Sequence, residues 1–286
     1  MLLWENLIKK YDDFVADGKP VCPVAHTYIT AHIGVLIDAN GNFLAAMQSP
    51  VIGELAIVPC TIQSECRTAV CPHLISDNIK YVANIEKYSK YHEKYLKQLK
   101  KYVLENPIDI YASSVYKYVI NDTIINDIDN VIPEKLKNKM DMLNIIFAVK
   151  DVAENSIDLN WTKYYLSKLP INGVCCVTGQ PAHIPPVYPR DILANADRNK
   201  LFLPTGNADN SGVLGYVSSQ KIYHCLQYMI YGQENYLKTE GEYKLRKFLS
   251  DRDENDLEKW VNENFPGKWE IFKNMIDSID KSINIY

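Results

Sequence analysis

Residues 173–189 read Gly-Val-Cys-Cys-Val-Thr-Gly-Gln-Pro-Ala-His-Ile-Pro-Pro-Val-Tyr-Pro. A short apolar run of β-prone residues ends here in a Thr-Gly-Gln-Pro turn. The prolines that follow are incompatible with a helix and favour an extended chain. This stretch therefore predicts a rigid strand and turn. We expect its first part, residues 173–178, to close a sheet that begins earlier in the chain.

The composition is that of a globular protein. A chain of 286 residues, 47% of them hydrophobic, can bury about three quarters of its unfolded surface. Residues 1–7 lack the basic start of a signal peptide, and later apolar runs are shorter than about eighteen residues. Seven cysteines without the spacing of a secreted disulfide scaffold fit reduced thiols. We therefore expect a cytoplasmic protein that has no contact with a membrane.

A helix, a hairpin and a further strand, followed by long helical stretches, predict an α+β fold with a mixed or antiparallel sheet and packed helices. We expect one domain at residues 1–233, with a helical insertion near 84–140, and a small helical segment at 234–286. The predicted helices are residues 2–16, 84–104 and 214–230, with a further helix or paired strand between 157 and 168. The predicted strands are residues 27–37 and 43–47, joined as a hairpin, and residues 55–59 and 142–149.

Three blocks of this sequence resemble the same known protein family. Residues 67–82 carry Arg-Thr, a proline and then Asp77-Asn78; residues 175–179 read Cys-X-Val-Thr-Gly before a proline-interrupted His-Ile; and residues 214–233 carry Ser-Gln-Lys followed by His224. Together with the first helix and the hairpin, these blocks resemble the large subunit of subtype I-C CRISPR surveillance complexes, the Csd family. The resemblance ends after Gln233.

The resemblance implies a subunit at the foot of a crRNA-guided complex, which helps to recognise the protospacer-adjacent motif in duplex DNA and to recruit the helicase-nuclease. In such complexes base pairing reads most of the target, and protein side chains read only a short duplex motif. The implied partners are the subunit that binds the crRNA handle, the backbone subunits and the crRNA. No cofactor is implied.

Several side chains are candidates for contact with nucleic acid or a neighbouring subunit, and some of them have a structural alternative. Asp77 or Asn78 can instead cap a helix that begins near Ile79. The basic stripe within residues 87–101, beside a tyrosine face, can be merely solvated or can follow phosphates. His224 can be a core residue. The full set of candidates is Arg67, Asp77, Asn78, Lys87, Lys90, Lys94, Thr178, Gln180, Gln220, Lys221 and His224.

Helical spacing also predicts which side of the last helix is buried. Lys221 and His224 lie three residues apart and are therefore expected to be neighbours. The predicted buried side consists of Val217, Ile222, Leu226, Met229 and Ile230.

Patterns typical of enzymes and metal sites are mostly missing. Cys60, Cys66, Cys71 and His73, with Cys22, supply ligand types that zinc prefers, but their spacing matches no recognised motif. The sequence has no Gly-X-Ser-X-Gly elbow, phosphate-binding loop or dinucleotide-binding turn. We therefore expect a protein that is not an enzyme. Zinc binding by these cysteines and His73 is retained as an alternative.

Three features depart from the family pattern. The family's carboxy-terminal helical bundle has no counterpart, the loop at residues 203–212 lacks basic residues, and the net charge is −4. A loop that faces phosphate is expected to keep Lys or Arg. The leading hypothesis is therefore a mobile-element-borne mimic, an anti-CRISPR protein that displaces the genuine large subunit. The alternative is a working DNA-recognition subunit of a minimal or split system, which the lysine stripe supports; a third is an amino-terminal portion of a longer subunit.

Overall fold

The protein has an α+β fold. The structure, a computed structural model, describes residues 2–49, 55–67, 69–152, 154–189 and 213–231. Two compact units are present: Cys22–Leu169 forms one, and the described residues up to Val21 and from Pro170 onward form the other. The loop at 203–212, the predicted helical segment at 234–286 and the predicted domain boundary at residue 233 lie outside the described residues.

The elements follow the predicted order closely. The helices are α1 (Leu2–Ala16), α2 (Ile62–Cys66), α3 (Ile79–Val82), α4 (Ser89–Glu105), α5 (Ile110–Val119), α6 (Ile124–Ile128), α7 (Glu154–Lys168) and α8 (Tyr216–Tyr231). The strands are β1 (His26–Thr30), β2 (Ile33–Ile37), β3 (Phe43–Gln48), β4 (Leu55–Pro59), β5 (Asp77–Asn78), β6 (Asn144–Val149), β7 (Gly173–Val174) and β8 (Pro181–Ala182). No helix among the described residues is long and apolar enough to cross a membrane.

The predicted hairpin is confirmed, but the predicted single strand at 27–37 is wrong. Strand β2 pairs with β3 in antiparallel and with β6 in parallel, in a sheet of order β3-β2-β6-β5. Strand β1 instead pairs with β4 in a separate two-stranded sheet. The chain changes sheet at His32, whose backbone N–H donates to Asn144 and whose carbonyl accepts from Ser49. These bonds extend the ladder of β2 with β3 and β6, whereas the residues before His32 pair with β4.

The prediction that residues 173–178 close this sheet is also wrong. Strand β7 pairs only with β8, so the stretch forms a small hairpin of its own. Gly179, with φ of +66°, reverses the chain, and the backbone N–H of Cys175 donates to the carbonyl of Gln180. A left-handed backbone of this kind favours glycine. The tight turn uses locally the hydrogen bonds that a longer strand would offer to a sheet.

The core of the unit 22–169 contains several tyrosines whose hydroxyl groups are satisfied inside the protein. Tyr95 donates to the carbonyl of Ile75 at 2.6 Å, and Tyr102 donates to Oδ2 of Asp109 at 2.7 Å. The ring of Tyr118 meets that of Phe147 on β6 edge to face, with centroids 5.8 Å apart. Strands β2 and β6 bury the apolar side chains of Ile33, Val35, Ile37, Ile145, Phe147 and Val149. Because a buried hydroxyl without a partner is costly, these bonds let tyrosine serve as a core residue.

In the other unit, α1 packs against α8. The rings of Phe14 and Tyr228 meet edge to face with centroids 4.8 Å apart. At the same surface Nζ of Lys221 lies 2.7 Å from Oδ1 of Asp12. The amphipathic pattern of residues 2–16 is thus explained, since its apolar stripe contacts a helix that comes some two hundred residues later in the sequence.

Candidate nucleic-acid interface

Helix α4 divides into a buried aromatic side and an exposed basic side. Tyr95, Leu99 and Tyr102 are buried. Their period of three or four residues is that of one helix face. The opposite face exposes Lys90, Lys94, Lys97 and Lys101, and Lys87 precedes them on the 3-10 turn Glu86–Tyr88. We call these five lysines the lysine stripe; at 1.5 Å per residue, its charges on α4 are about 4.5–6 Å apart along the axis.

The loop at residues 69–76 is held against α4 by side chains of that helix. Nζ of Lys94 donates to the carbonyl of Val70 at 3.0 Å, and Nε2 of Gln98 donates to the carbonyl of Pro72 at 3.3 Å. The hydroxyl of Tyr95 reaches Ile75 from the buried side. Three residues of one helix therefore bind three carbonyls of one loop. The ammonium group of Lys94, a predicted contact residue, is therefore already engaged in one hydrogen bond within the protein.

Asp77 is the anchor of the same loop rather than a surface group. Its carboxylate is fully buried and accepts from Nη2 of Arg67 at 2.5 Å, from the backbone N–H of His73 at 2.7 Å and from that of Asn78 at 2.6 Å. Burial raises the pKa of Asp77, and the Arg67 guanidinium opposes that rise. In this structure Asp77 is therefore not accessible to nucleic acid, and its role is to position Arg67.

Asn78 caps α3, as one of the two sequence interpretations predicted. Its Oδ1 accepts from the backbone N–H of Lys80 at 3.1 Å, and its Nδ2 donates to Oδ1 of Asn144 at 3.1 Å. Both ends of the amide are thus engaged within the protein. The capping alternative is confirmed.

Basic side chains and tyrosines from three segments of this unit form a cluster. Arg67 lies over the ring of Tyr81 at 5.1 Å, Lys80 over Tyr91 at 5.8 Å, and Lys87 over Tyr88 at 5.0 Å. The rings of Tyr81 and Tyr91 meet edge to face at 5.2 Å, and those of Tyr88 and Tyr91 at 5.8 Å. We call this set the cation–tyrosine cluster. It brings the predicted candidates Arg67 and Lys87 together.

Sequence reasoning missed Lys80 and Tyr81 as members of the cluster. They lie on the four-residue helix α3, which is too short to show an amphipathic pattern. Lys87, Tyr88 and Tyr91 were found because they begin the long periodic segment of α4. The signal that would have found Lys80 is its distance of two residues from the predicted cap Asn78, which places it in the first turn of a helix.

The candidates in the other unit have different environments. Thr178 and Gln180 are exposed at the turn after β7, and the Thr178 hydroxyl accepts from the backbone N–H of Gln180 at 3.4 Å. Gln220 and His224 are fully buried, with Nε2 of His224 3.1 Å from Oε1 of Gln220. In this structure the last two are therefore inaccessible to another molecule.

The predicted burial on α8 needs correction. Lys221 contacts Asp12 of α1, whereas His224 lies between Gln220 and Gln227. Ile222 is buried as predicted, but Val217 is exposed, and Leu226 and Met229 are half-buried. The side chain of Ile230 lies outside the described residues. The prediction failed because polar Ser219, Gln220 and His224 occupy buried positions that a hydrophobic pattern assigns to apolar side chains.

Cys175 has an unusual environment in the turn after β7. Burial opposes its ionisation, but the Ser218 hydroxyl and backbone N–H groups of Gly215 and Thr178 outweigh that effect and lower the pKa of Cys175 to about 7. The distance from Sγ of Cys175 to Oγ of Ser218 is 3.3 Å. The neighbouring Cys176 behaves oppositely, since burial raises its pKa. Cys175 thus connects the turn to the start of α8.

Among the described residues, no group of three or more His, Cys, Asp or Glu side chains is placed to hold a metal ion. All seven cysteines lie in this part of the chain, and each is a free thiol. Nδ1 of His73 lies 3.0 Å from Oγ of Ser64, but the nearby Asp77 binds the backbone of His73 rather than its ring. All three residues are buried. This arrangement differs from a catalytic triad, in which the carboxylate orients the imidazole.

Residues 7–203 match the model of the family described as CRISPR-associated protein (Cas_Csd1), whose members are type I-C large subunits. The match places the chain among CRISPR-associated proteins. Because it covers more than half of the 286 residues, the chain belongs to the Csd1 family. No curated protein matches the chain.

Proposed function

We propose that the protein is a non-catalytic, large-subunit-like component of a type I-C surveillance complex and that it contacts target DNA through the lysine stripe of α4. The observation that carries this proposal is the exposure of Lys87, Lys90, Lys94, Lys97 and Lys101 along one side of a helix whose other side is anchored in the core. A fixed row of exposed cations is suited to phosphate contacts, which supply most of the affinity for nucleic acid.

The surroundings of the stripe support the same proposal. Lys90 and Lys97 make no ion pair with a described carboxylate, whereas Lys101 is 4.0 Å from Glu105. At one end of the stripe, the cation–tyrosine cluster adds Arg67 and Lys80. Because α4 is tied to the loop at 69–76, the backbone positions of these lysines are fixed before any ligand binds. Preorganised charges lose less conformational entropy on binding than flexible ones do.

The absence of an enzymatic role is part of the proposal. Ser64, His73 and His224 belong to residue types that act as nucleophiles or bases, and all three are buried. The lowered pKa of Cys175 accompanies hydrogen bonds from other groups of the protein. A DNA-contacting subunit needs no reacting group of its own.

A second candidate is an inhibitor that occupies the place of the genuine large subunit. The net charge of −4 and the absence of Lys and Arg from residues 203–212 favour it. The working subunit is favoured by five exposed lysines along a helix whose other side is anchored in the core. We therefore rank the working subunit first and the mimic second.

Reconstitution distinguishes the two candidates. The chain is added to a type I-C crRNA complex that lacks its large subunit, and binding of a duplex with a protospacer-adjacent motif is measured. A working subunit restores specific duplex binding. In a second reaction the chain is added in excess to a complete complex; a mimic lowers duplex binding there and restores nothing in the first reaction. If the chain neither restores nor lowers duplex binding, both candidates are wrong.

A matched pair of variants tests the stripe itself. Lys90→Gln with Lys97→Gln removes two unpaired charges from α4, and Lys135→Gln with Lys139→Gln removes two exposed charges elsewhere in the same unit. If each lysine of the stripe neutralises one phosphate, the first variant reduces the slope of log affinity against log salt by about 2, and the control leaves it unchanged. Equal slopes for both variants would refute the assignment of the stripe.

A further inference from the structure

An open cleft lies beside the carboxy-terminal end of α4. It has a volume of about 650 Å³, and Glu105, Ile108, Asn160, Lys163, Tyr164 and Lys168 are among the residues that line it. All of them belong to the unit 22–169. The cleft lies between the end of α4, the start of α5 and the last turns of α7. It is separate from the cation–tyrosine cluster, which lies at the other end of α4.

One large apolar side chain that lines this cleft is exposed, and two more are exposed at positions next to lining residues in the chain. Ile108, which lines it, is 86% exposed; Leu104 and Ile110, two to four residues away in the chain, are 70% and 54% exposed. Single exposed apolar residues are common on protein surfaces, but a group of them around a concave site is typical of an interaction surface. We call Leu104, Ile108, Ile110 and the cleft the α4–α7 patch.

The charges around the patch are mostly positive. Oε2 of Glu105 is bound by Nζ of Lys168 at 2.9 Å and by the hydroxyl of Tyr164 at 3.0 Å, and its other oxygen lies 4.0 Å from Lys101. Glu105 is thus already neutralised by its neighbours. Lys163 is exposed and makes no ion pair with a described carboxylate. The remaining carboxylate, Asp109, is buried and is bound by Tyr102 and the backbone of Ala112.

The base of the patch is rigid. Tyr164 packs against Tyr102 with ring centroids 5.0 Å apart and against Trp161 at 5.7 Å, and Lys168 lies over the Tyr164 ring at 5.2 Å. Trp161 is itself fixed by hydrogen bonds to the carbonyls of Ala25 and Cys60. A surface that is held in shape by the core loses little conformational entropy when a partner binds.

We propose that the α4–α7 patch is a protein-docking site whose occupant is an acidic, amphipathic segment of a neighbouring subunit. This inference rests on the proposed function, since it assumes that the chain works inside a multisubunit complex. An apolar centre with a basic rim complements a segment that carries apolar side chains flanked by Asp or Glu. Nucleic acid fits less well, because the exposed apolar side chains gain nothing from a phosphate backbone.

The test uses the substitution Ile108→Glu and the matched control Ile120→Glu. Ile120 is also an exposed isoleucine, at 50%, at the end of α5, and it does not line the cleft. Both substitutions are at exposed positions, so circular dichroism and the melting temperature should match those of the unaltered chain. Binding of each chain to a reconstituted type I-C crRNA complex without its large subunit is measured by surface plasmon resonance.

We expect Ile108→Glu to weaken binding at least about tenfold and the control to leave it unchanged, since central apolar contacts dominate interface affinity. Lys163→Glu should weaken binding and reduce its salt dependence. If Ile108→Glu and the unaltered chain bind with equal affinity, the docking site is refuted but the proposed function is not. A loss of duplex DNA binding with intact binding to the complex would also overturn it. If the unaltered chain does not bind the complex, the proposed function fails as well.

Discussion

The substitution Arg67→Ala tests whether the buried Asp77 organises the loop between α2 and α3. In the native structure the guanidinium lies 2.5 Å from Oδ1 of Asp77, whose pKa is already raised by burial. Removing the guanidinium leaves a buried carboxylate with two backbone N–H donors and no opposite charge. The carboxylate then stays ionised at a higher free-energy cost or takes up a proton, and both destabilise the unit.

The expected magnitude follows from the exposure of the two groups. Removing one partner of a fully buried ion pair costs about 3–5 kcal/mol. The side chain of Arg67 is 34% exposed and that of Asp77 is 1% exposed, so solvent screens part of the interaction. We therefore expect Arg67→Ala to lower the free energy of unfolding by about 2–3 kcal/mol.

A second substitution at the same position separates the side chain from the backbone. Arg67 has φ of 40° and ψ of 49°, a left-handed conformation that caps α2. Arg67→Gly loses the same ion pair but relieves the backbone strain, so it should be more stable than Arg67→Ala by about 1 kcal/mol. The difference in stability between the two variants measures the free-energy cost of a left-handed backbone at a residue other than glycine.

The assay combines urea unfolding, followed by circular dichroism, with hydrogen exchange of residues 69–78 measured by mass spectrometry. The amide of His73 should exchange faster in both Arg67 variants, because it loses an ordered acceptor. Lys137→Ala is the control: its ion pair with Glu134 spans 2.7 Å but is exposed, so no measurable loss of stability is expected. The reasoning is refuted if Arg67→Ala unfolds at the same urea concentration as the unaltered protein.

Three further predictions concern other positions. Gly41→Ala should destabilise the protein more than Gly18→Ala in thermal unfolding: both have positive φ, but a Cβ at Gly41 would lie 2.7 Å from Cβ of Lys117, and one at Gly18 would meet nothing within 4 Å. Tyr95→Phe should cost about 1–1.5 kcal/mol in urea unfolding, because the Ile75 carbonyl loses its buried partner. Cys175→Ser should abolish the part of the pH dependence of the melting temperature that comes from ionisation of the Cys175 thiol. The pKa of Cys175 is lowered from 9.0 to about 7, so its thiolate adds stability that is complete above pH 9 and lost as the pH falls through about 7; a curve unchanged by the substitution would contradict this.

Much of the local structure was predictable from short stretches of sequence. The periodic apolar residues of 2–16 predicted α1 with its bounds, and Asp38 to Asn42 with their glycine predicted the turn between β2 and β3. Asn78 was recognised as a possible helix cap. These features depend on residues within a few positions of one another, so the spacing of residue types is enough to predict them.

The candidate interface was predictable only in part. The basic side of α4 was visible because its lysines recur with the helical period. By contrast, nothing in the sequence indicates that Asp77 is buried beneath Arg67, or that Lys80 and Lys87 share one tyrosine cluster. Both arrangements join residues that are distant in the sequence, as do the hydrogen bonds from α4 to the loop at 69–76, whose partners are 20 to 26 positions apart.

The sequence alone thus determined the family, most of the helices and strands, and the exposed lysine stripe, since each is encoded by residue types at short, regular spacing. Only the tertiary structure decided that residues 27–37 are divided between two sheets and that residues 173–178 belong to a separate hairpin. The burial of Gln220 and His224 was likewise decided by the tertiary structure. The physical reason is that strand pairing and the burial of polar groups depend on hydrogen-bond partners from distant parts of the chain, which a local pattern does not specify.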